Sequence, residues 1–280
     1  MRAIAWHPAA RGLADDAAVL EVGGETLVLT HDAMVEGVHF LPGQDAADVA
    51  WKLVATNMSD LAAKGAEPVG VLLGYTLGGD DDARFVEGLD AALAHYGASL
   101  LGGDTVAGNG ARVLGLTAIG RATYRPVPGR DGAWPGEALW ITGPVGAAMM
   151  GFEALRDGTG GDSLAYRRPV ALLGQGQALA PHVSAMMDVS DGLLLDAWRL
   201  ARASGVSIDI ARMAVPIAAP EARRDDALRW GDDYQLLFTA PPEAALPVPA
   251  TRIGLLAPPG AAPLTLDGID VGEAGLGYEH

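Results

Sequence analysis

The alternation of apolar and polar residues divides the sequence into strand-length runs and helix-length stretches. Ala17 to Val22 and Glu25 to Thr30 are apolar runs separated by Gly23-Gly24, which predicts a hairpin with a two-residue turn. Pairing Val22 with Glu25 sets Asp16 opposite His31 and Asp15 opposite Asp32, so the open end of the hairpin is acidic. Side chains alternate across a strand, so Asp16 and Asp32 share one ion only if the ladder ends or bulges beside them. From about Asp48 onward Val49, Leu53, Asn57, Asp60 and Lys64 recur at helical spacing. This helix stops where Gly65 supplies a left-handed cap and Pro68 forbids continuation. Its buried stripe then carries an amide and a carboxylate, and each needs a partner, because burying either one alone costs several kcal/mol.

The pattern continues with a strand from Val69 to Leu77. Asp80-Asp81-Asp82 then opens a helix carried by Phe85, Val86, Leu89 and Leu93 and stopped by Gly97. Leu100-Leu101 runs onto Gly102-Gly103-Asp104-Thr105, read as glycines at a strand end. Such glycines form an ordinary turn or let backbone approach a phosphate, with the aspartate on its metal ion. A strand from Arg112 to Ile119 follows. The stretch from Arg121 to Gly136 is rich in proline and glycine and marks a boundary between domains at 1–123 and 124–280. Arg130 within it reads as a solvated guanidinium suited to a nucleotide phosphate. Beyond it we expect strands at Glu137–Thr142, Val183–Met187, Val206–Ile210 and Tyr234–Thr239. Helices are expected at Val145–Arg156, Val170–Ala180, from about Asp191 to Ala203, and Pro220–Leu228. Between strand and helix stands Asp188-Val189-Ser190-Asp191-Gly192, where Ser190 or Asp191 serves as N-cap. Capping does not explain two aspartates three residues apart. A helix N-terminus beside paired carboxylates suits phosphate only with metal ions between them.

Composition narrows the partners. The chain has 280 residues, half of them apolar, and 35 acidic against 19 basic residues give a net charge of −16. Such a charge repels nucleic acid and anionic membranes and favours divalent cations. The absence of cysteine excludes disulfides and thiolate metal sites and fits a reducing cytoplasm. No signal-peptide pattern opens the sequence and no apolar run reaches about eighteen residues, so a cytoplasmic location off the membrane is expected.

Five segments then align in order: Asp15-Asp16 before the hairpin; Asp32 with Val35-Glu36-Gly37-Val38-His39-Phe40; Asn57 to Pro68; Gly102-Gly103-Asp104-Thr105; and Asp188 to Gly192. Together they resemble the motifs of the thiamine-monophosphate kinase family, within the superfamily of aminoimidazole ribonucleotide synthetase and selenophosphate synthetase. The resemblance covers nearly the whole chain. It implies a two-domain α/β (α+β) fold like that of aminoimidazole ribonucleotide synthetase. In that fold the N-terminal sheet joins a second subunit's sheet in a homodimer, and the C-terminal domain is α/β. It also implies ATP- and Mg²⁺-dependent phosphorylation of thiamine monophosphate to thiamine diphosphate by direct in-line transfer.

Carried over by position, Asp16, Thr30, Asp32, Asp60, Asp104, Asp188 and Asp191 would hold several Mg²⁺ ions, with the catalytic weight on Asp32, Asp60 and Asp104. Gly103, Asp104, Arg130 and Ser190 would meet ATP, and His39, Asp232 and Tyr278 the thiamine phosphate. An acceptor phosphate is already ionised at pH 7, so this chemistry needs positioning and charge neutralisation rather than a general base. Thiamine's cationic ring could stack on Tyr278 and be attracted by Asp232. The chain departs from the family where Asp232 replaces a glutamate and where Val106-Ala107-Gly108 follows Thr105. Two other readings are a superfamily enzyme with a different acceptor and a nucleotide-binding homologue without turnover. The lack of cysteine argues against selenium-handling and hydrogenase-maturation members.

Overall fold

The computed structural model describes residues 2–77, 79, 81–108 and 110–278, so Asp80 of the acidic triplet lies outside the described residues. The hairpin forms with the expected register, Val22 opposite Glu25, from β1 (Ala18–Val22) and β2 (Glu25–Val35). Gly23 and Gly24 both take positive φ, the backbone that a tight right-twisted hairpin turn needs. β1 begins at Ala18, so Asp15 and Asp16 leave the ladder and their side chains are released from strict alternation.

Helix α1 (Ala46–Ala63) is capped by the Asp45 carboxylate on the amide of Ala47. Then come β3 (Ala66–Thr76), α2 (Asp82–Tyr96, closed by Gly97 at positive φ), β4 (Ser99–Val106) and β5 (Val113–Ala122). The sheet order is β1-β2-β5-β3-β4. β4 contains Gly102 and Gly103 instead of ending at them, which corrects the expectation of a strand end. Gly103 is needed because a Cβ there would run into the Leu73 backbone of β3. A Cβ on Gly88 would likewise strike the Ala47 backbone, so glycine lets α2 lie tightly on α1.

The second sheet, ordered β12-β11-β8-β10-β6-β9-β7, uses later segments. They are β6 (Ala138–Ile141), α3 (Ala147–Arg156), α4 (Leu164–Arg167), α5 (Leu173–Leu179), β7 (Ala185–Asp188), α6 (Leu193–Ser204), β8 (Ser207–Ile210), α7 (Arg224–Arg229), β9 (Leu236–Ala240), β10 (Thr251–Ala257), β11 (Leu264–Leu266) and β12 (Ile269–Asp270). The helix expected over 170–180 is shorter, confined to α5, and α7 begins after a turn of 3₁₀ helix at Glu221–Arg223.

α1 joins the two halves. It packs on β2, β5 and α2 on one side and on α4, α5 and β7 on the other. Consequently 16 of its 18 residues are buried, where the sequence pattern had suggested a single stripe. Gly176 of α5 sits directly on the Ala62 carbonyl of α1, an approach that a Cβ would block. Among the described residues no helix is long and apolar enough to cross a membrane.

Candidate active site

A cavity of about 620 Å³ opens where the two halves meet, lined from the first half by Asp16, Asp32, His39, Lys52 and Asp60 and from the second by Arg130, Asp188, Ser190, Asp191, Asp232 and Tyr278, among others. On its wall one oxygen each of Asp16, Asp60 and Asp188 lie within 4.8 Å of one another. These carboxylates come from the arm before β1, from α1 and from the end of β7. Thr30 on β2 donates its hydroxyl to Asp60. Asn57 spans the next position: its Oδ1 accepts the Asp32 amide at 3.1 Å while its Nδ2 donates to the Leu53 carbonyl at 2.9 Å. The buried amide of α1 thereby fixes the backbone that carries Asp32.

Electrostatics make this cluster an unstable grouping without a cation. Burial, then the carboxylates of Asp32, Asp188 and Asp16, push Asp60 well above the usual carboxylate range. Burial and Asp16 push Asp188 up to about 8. Asp188 Oδ2 accepts from Ser59 at 2.5 Å, but its buried Oδ1 has no hydrogen-bond partner among the described residues. An orphaned buried oxygen beside two more carboxylates is a donor set for a hard divalent ion such as Mg²⁺.

Arg130 and the Asp188 motif depart from expectation. Arg130 is not solvated; its guanidinium is ion-paired to Asp16 in the cavity wall. Neither Ser190 nor Asp191 caps α6 through its side chain. Instead Asp196, inside the helix, accepts the amides of Ser190 at 3.1 Å and Asp191 at 3.0 Å and holds the turn in place. Asp191 itself is ion-paired to Arg199.

Also on the cavity lining, His39 Nδ1 accepts the Val35 amide at 3.0 Å, which puts the proton of the neutral ring on Nε2. Tyr278 meets His39 edge-on, ring centroids 6.5 Å apart, and is tied by its amide to the Asp191 carbonyl at 2.9 Å. Asp232 is held by Lys52 at 2.7 Å and by the Tyr234 hydroxyl at 2.8 Å. Lys52 also donates to the His39 carbonyl at 3.1 Å and lies 3.9 Å over the ring of Tyr166. Both Asp232 and Tyr234 have positive φ, so this loop keeps a strained backbone at the cavity. Between them the Asp233 carboxylate accepts the amides of Gly146 at 2.6 Å and Ala148 at 3.3 Å at the start of α3.

Lys52 and Asp196 were missed by sequence reasoning. The available signal was a charged residue inside an otherwise apolar helical run, Trp51-Lys52-Leu53 and Leu195-Asp196-Ala197. Gly103 and Asp104 do not reach this cavity. They lie on β4, which is paired on one side only and is exposed along its whole length.

Both halves of the chain resemble known proteins. Residues 14–122 match the family model described as AIR synthase related protein, N-terminal domain, and residues 135–251 match its C-terminal domain. The thiamine-monophosphate kinase of Caulobacter vibrioides is 37% identical, with 98% of this chain and 86% of the relative covered. That of Escherichia coli strain K12 is 37% identical over 82% of this chain and 76% of the relative. A solved structure titled "AaThiL complexed with AMPPCP and TMP" superposes with a TM-score of 0.85 at 30% identity, covering 95% of this chain and 91% of that one. With two matched domains, near-complete coverage and an acidic cleft between the halves, the chain belongs to the thiamine-monophosphate kinase family.

Proposed function

We propose that this protein transfers the γ-phosphoryl group of ATP to thiamine monophosphate, forming thiamine diphosphate and ADP. The observation that carries this reading is the convergence of Asp16, Asp60 and Asp188 from both halves within 4.8 Å beside a 620 Å³ cavity. Two anionic phosphates must be brought into line, and the chemistry asks for neutralised charge and fixed geometry. Asp16, Asp60 and Asp188, with Asp32 and Thr30 beside them and Asp191 on the same cavity lining, would hold Mg²⁺. Bound there, the ions would offset charge on the phosphates of both substrates.

The residues of the chain supply the rest. Arg130 and Ser190 stand on the wall expected to face the nucleotide, and Arg130 is an always-charged group suited to phosphate. His39 offers an Nε2 proton to the acceptor phosphate. Tyr278, 44% exposed, presents a ring on which thiamine can stack. Asp232 already has Lys52 for a partner, so its contribution is a fixed hydrogen-bond acceptor more than a free negative charge. In this reading residues 1–123 form the ATP- and metal-binding domain and 124–280 the domain that completes the cleft. A cytoplasmic location, where ATP is available, fits this reading.

The same reading includes a homodimer. β4 is an unpaired edge whose Leu100 and Leu101 are 51% and 53% exposed, and such an edge is normally covered. In a dimer joined there, Gly103 and Asp104 would serve the cavity of the neighbouring subunit. The test of function is incubation with ATP, Mg²⁺ and thiamine monophosphate. Thiamine diphosphate formed in step with ADP is expected. ADP without thiamine diphosphate, or no ADP at all, would overturn the assignment.

A further inference from the structure

Lys64 follows directly on α1 and is completely buried. Its ammonium donates to Asp15 Oδ1 at 2.5 Å and to the Met186 carbonyl at 3.0 Å, and is ion-paired with Asp16 Oδ2 at 2.6 Å. These partners belong to the arm before β1 and to β7, so one charge on the first half's helix ties down the arm and the second half. The opposite oxygen of Asp16 is held by Arg130, and that of Asp15 by Arg11 at 2.5 Å. Asp16 is therefore locked between two side-chain cations while standing beside Asp60 and Asp188. Carboxylates this close stay together only with positive charge among them. A bound metal ion would supply that charge exchangeably, whereas at the Asp15–Asp16 pair it is covalently attached.

We propose that Lys64 is a positioning residue: a tethered cation that takes the place of an exchangeable one at Asp15 and Asp16 and keeps Asp16 aimed at the divalent site before any metal arrives. This rests on the reading of Asp16, Asp60 and Asp188 as a divalent-metal site. A plain structural ion pair makes a different prediction, because its loss would lower stability equally at every cation concentration.

The experiment uses the full-length protein and its variants Lys64→Met, Lys64→Arg and Asp15→Asn/Lys64→Met. Thermal unfolding is followed from metal-free buffer to millimolar Mg²⁺ and K⁺, and bound cations per chain are counted by elemental analysis after equilibrium dialysis. Lys64→Met should bind one additional cation per chain, and its melting temperature should climb several-fold more steeply with cation concentration than that of the unaltered protein. Lys64→Arg, which keeps the charge, should retain the original slope. Removing one negative charge along with the positive, as in Asp15→Asn/Lys64→Met, should restore it too. An unchanged cation slope for Lys64→Met, or its failure to fold at any cation concentration, overturns the inference. An unaltered protein that takes up no divalent ion would instead defeat the metal-site reading itself, and the inference with it.

Discussion

Lys52 Nζ and Asp232 Oδ2 lie 2.7 Å apart across the junction of the two halves, although 180 residues separate them in sequence. The lysine is buried and the carboxylate is 28% exposed to the cavity, so the pair is closed on one side and wet on the other. It anchors the strained loop that carries Asp232 to the central helix.

Replacing Lys52 by methionine should therefore leave a half-buried carboxylate and the His39 carbonyl without their donor. Loss of one partner of a buried pair costs about 3–5 kcal/mol, and partial exposure of Asp232 should reduce this to ~2–3 kcal/mol. Equilibrium denaturation measures it. Asp232→Asn should cost less, and the double variant less than the sum of the two, with a rise in KM for thiamine monophosphate in each.

Asn57 has its two side-chain groups committed, one to the Asp32 amide and one to the Leu53 carbonyl. Asn57→Ala leaves the Asp32 amide without its acceptor, a loss of about 1–3 kcal/mol, whereas the Leu53 carbonyl keeps the Thr56 hydroxyl at 3.1 Å. Turnover should fall by more than stability explains, because Asp32 loses its fixed backbone. Comparing kcat at a temperature where the variant is fully folded, judged by circular dichroism, checks this.

The pH dependence follows from Asp60, raised well above the carboxylate range, and Asp188, raised to about 8. A group whose folded pKa lies above its unfolded value stabilises fully below the unfolded value and loses that contribution as pH rises through the folded one. Metal-free protein should thus lose stability from about pH 4 upward on account of these groups, the share of Asp188 being lost through about pH 8. Mg²⁺ must displace their protons, so its apparent affinity should increase over the same window. Calorimetric titration at pH 7 in buffers of different ionisation enthalpy should show proton release on binding; equal heats in all buffers would oppose this.

Asp104 lies outside the cavity of its own chain, on the exposed edge strand. If it acts across a dimer, mixing two separately impaired proteins, Asp60→Asn and Asp104→Asn, should recover activity. In a mixed dimer one cavity receives both intact aspartates. Recovery to roughly a quarter of normal turnover after subunit exchange is expected, the share set by random pairing of closed two-fold dimers. No recovery in a proven mixed dimer would place Asp104 elsewhere.

Features of short range were legible in the sequence. The Gly23-Gly24 hairpin, its register, the end of α1 at Gly65 and the stop of α2 at Gly97 all depend on local backbone chemistry. Asp16 and Asp188 could be singled out because each stands at the end of an element, and Asp60 because it is a carboxylate on the apolar stripe of α1. What could not be read was who would meet whom. Arg130 looked solvated because its partner Asp16 is 114 residues away. Gly102 and Gly103 looked like a strand end because β3, the neighbour that demands glycine at Gly103, is not visible in a one-dimensional pattern. α1 showed one apolar stripe, yet its small residues, Ala62 and Ala63 among them, are buried because the second half covers the other face. Lys52 and Asp196 carried the same weakness: each is a charge in an apolar helix whose purpose appears only with its tertiary partner.

In the proposed reaction, carboxylates from both halves of the chain hold a cation between nucleotide and acceptor. Crystals grown with Mn²⁺ and a non-hydrolysable ATP analogue, with anomalous diffraction at the manganese edge, address it most directly. The expected result is an ion bonded to oxygens of both Asp60 and Asp188, hence to both halves at once. Manganese found only on exposed carboxylates, with Asp60 and Asp188 making no contact to it while nucleotide is bound, would contradict the account.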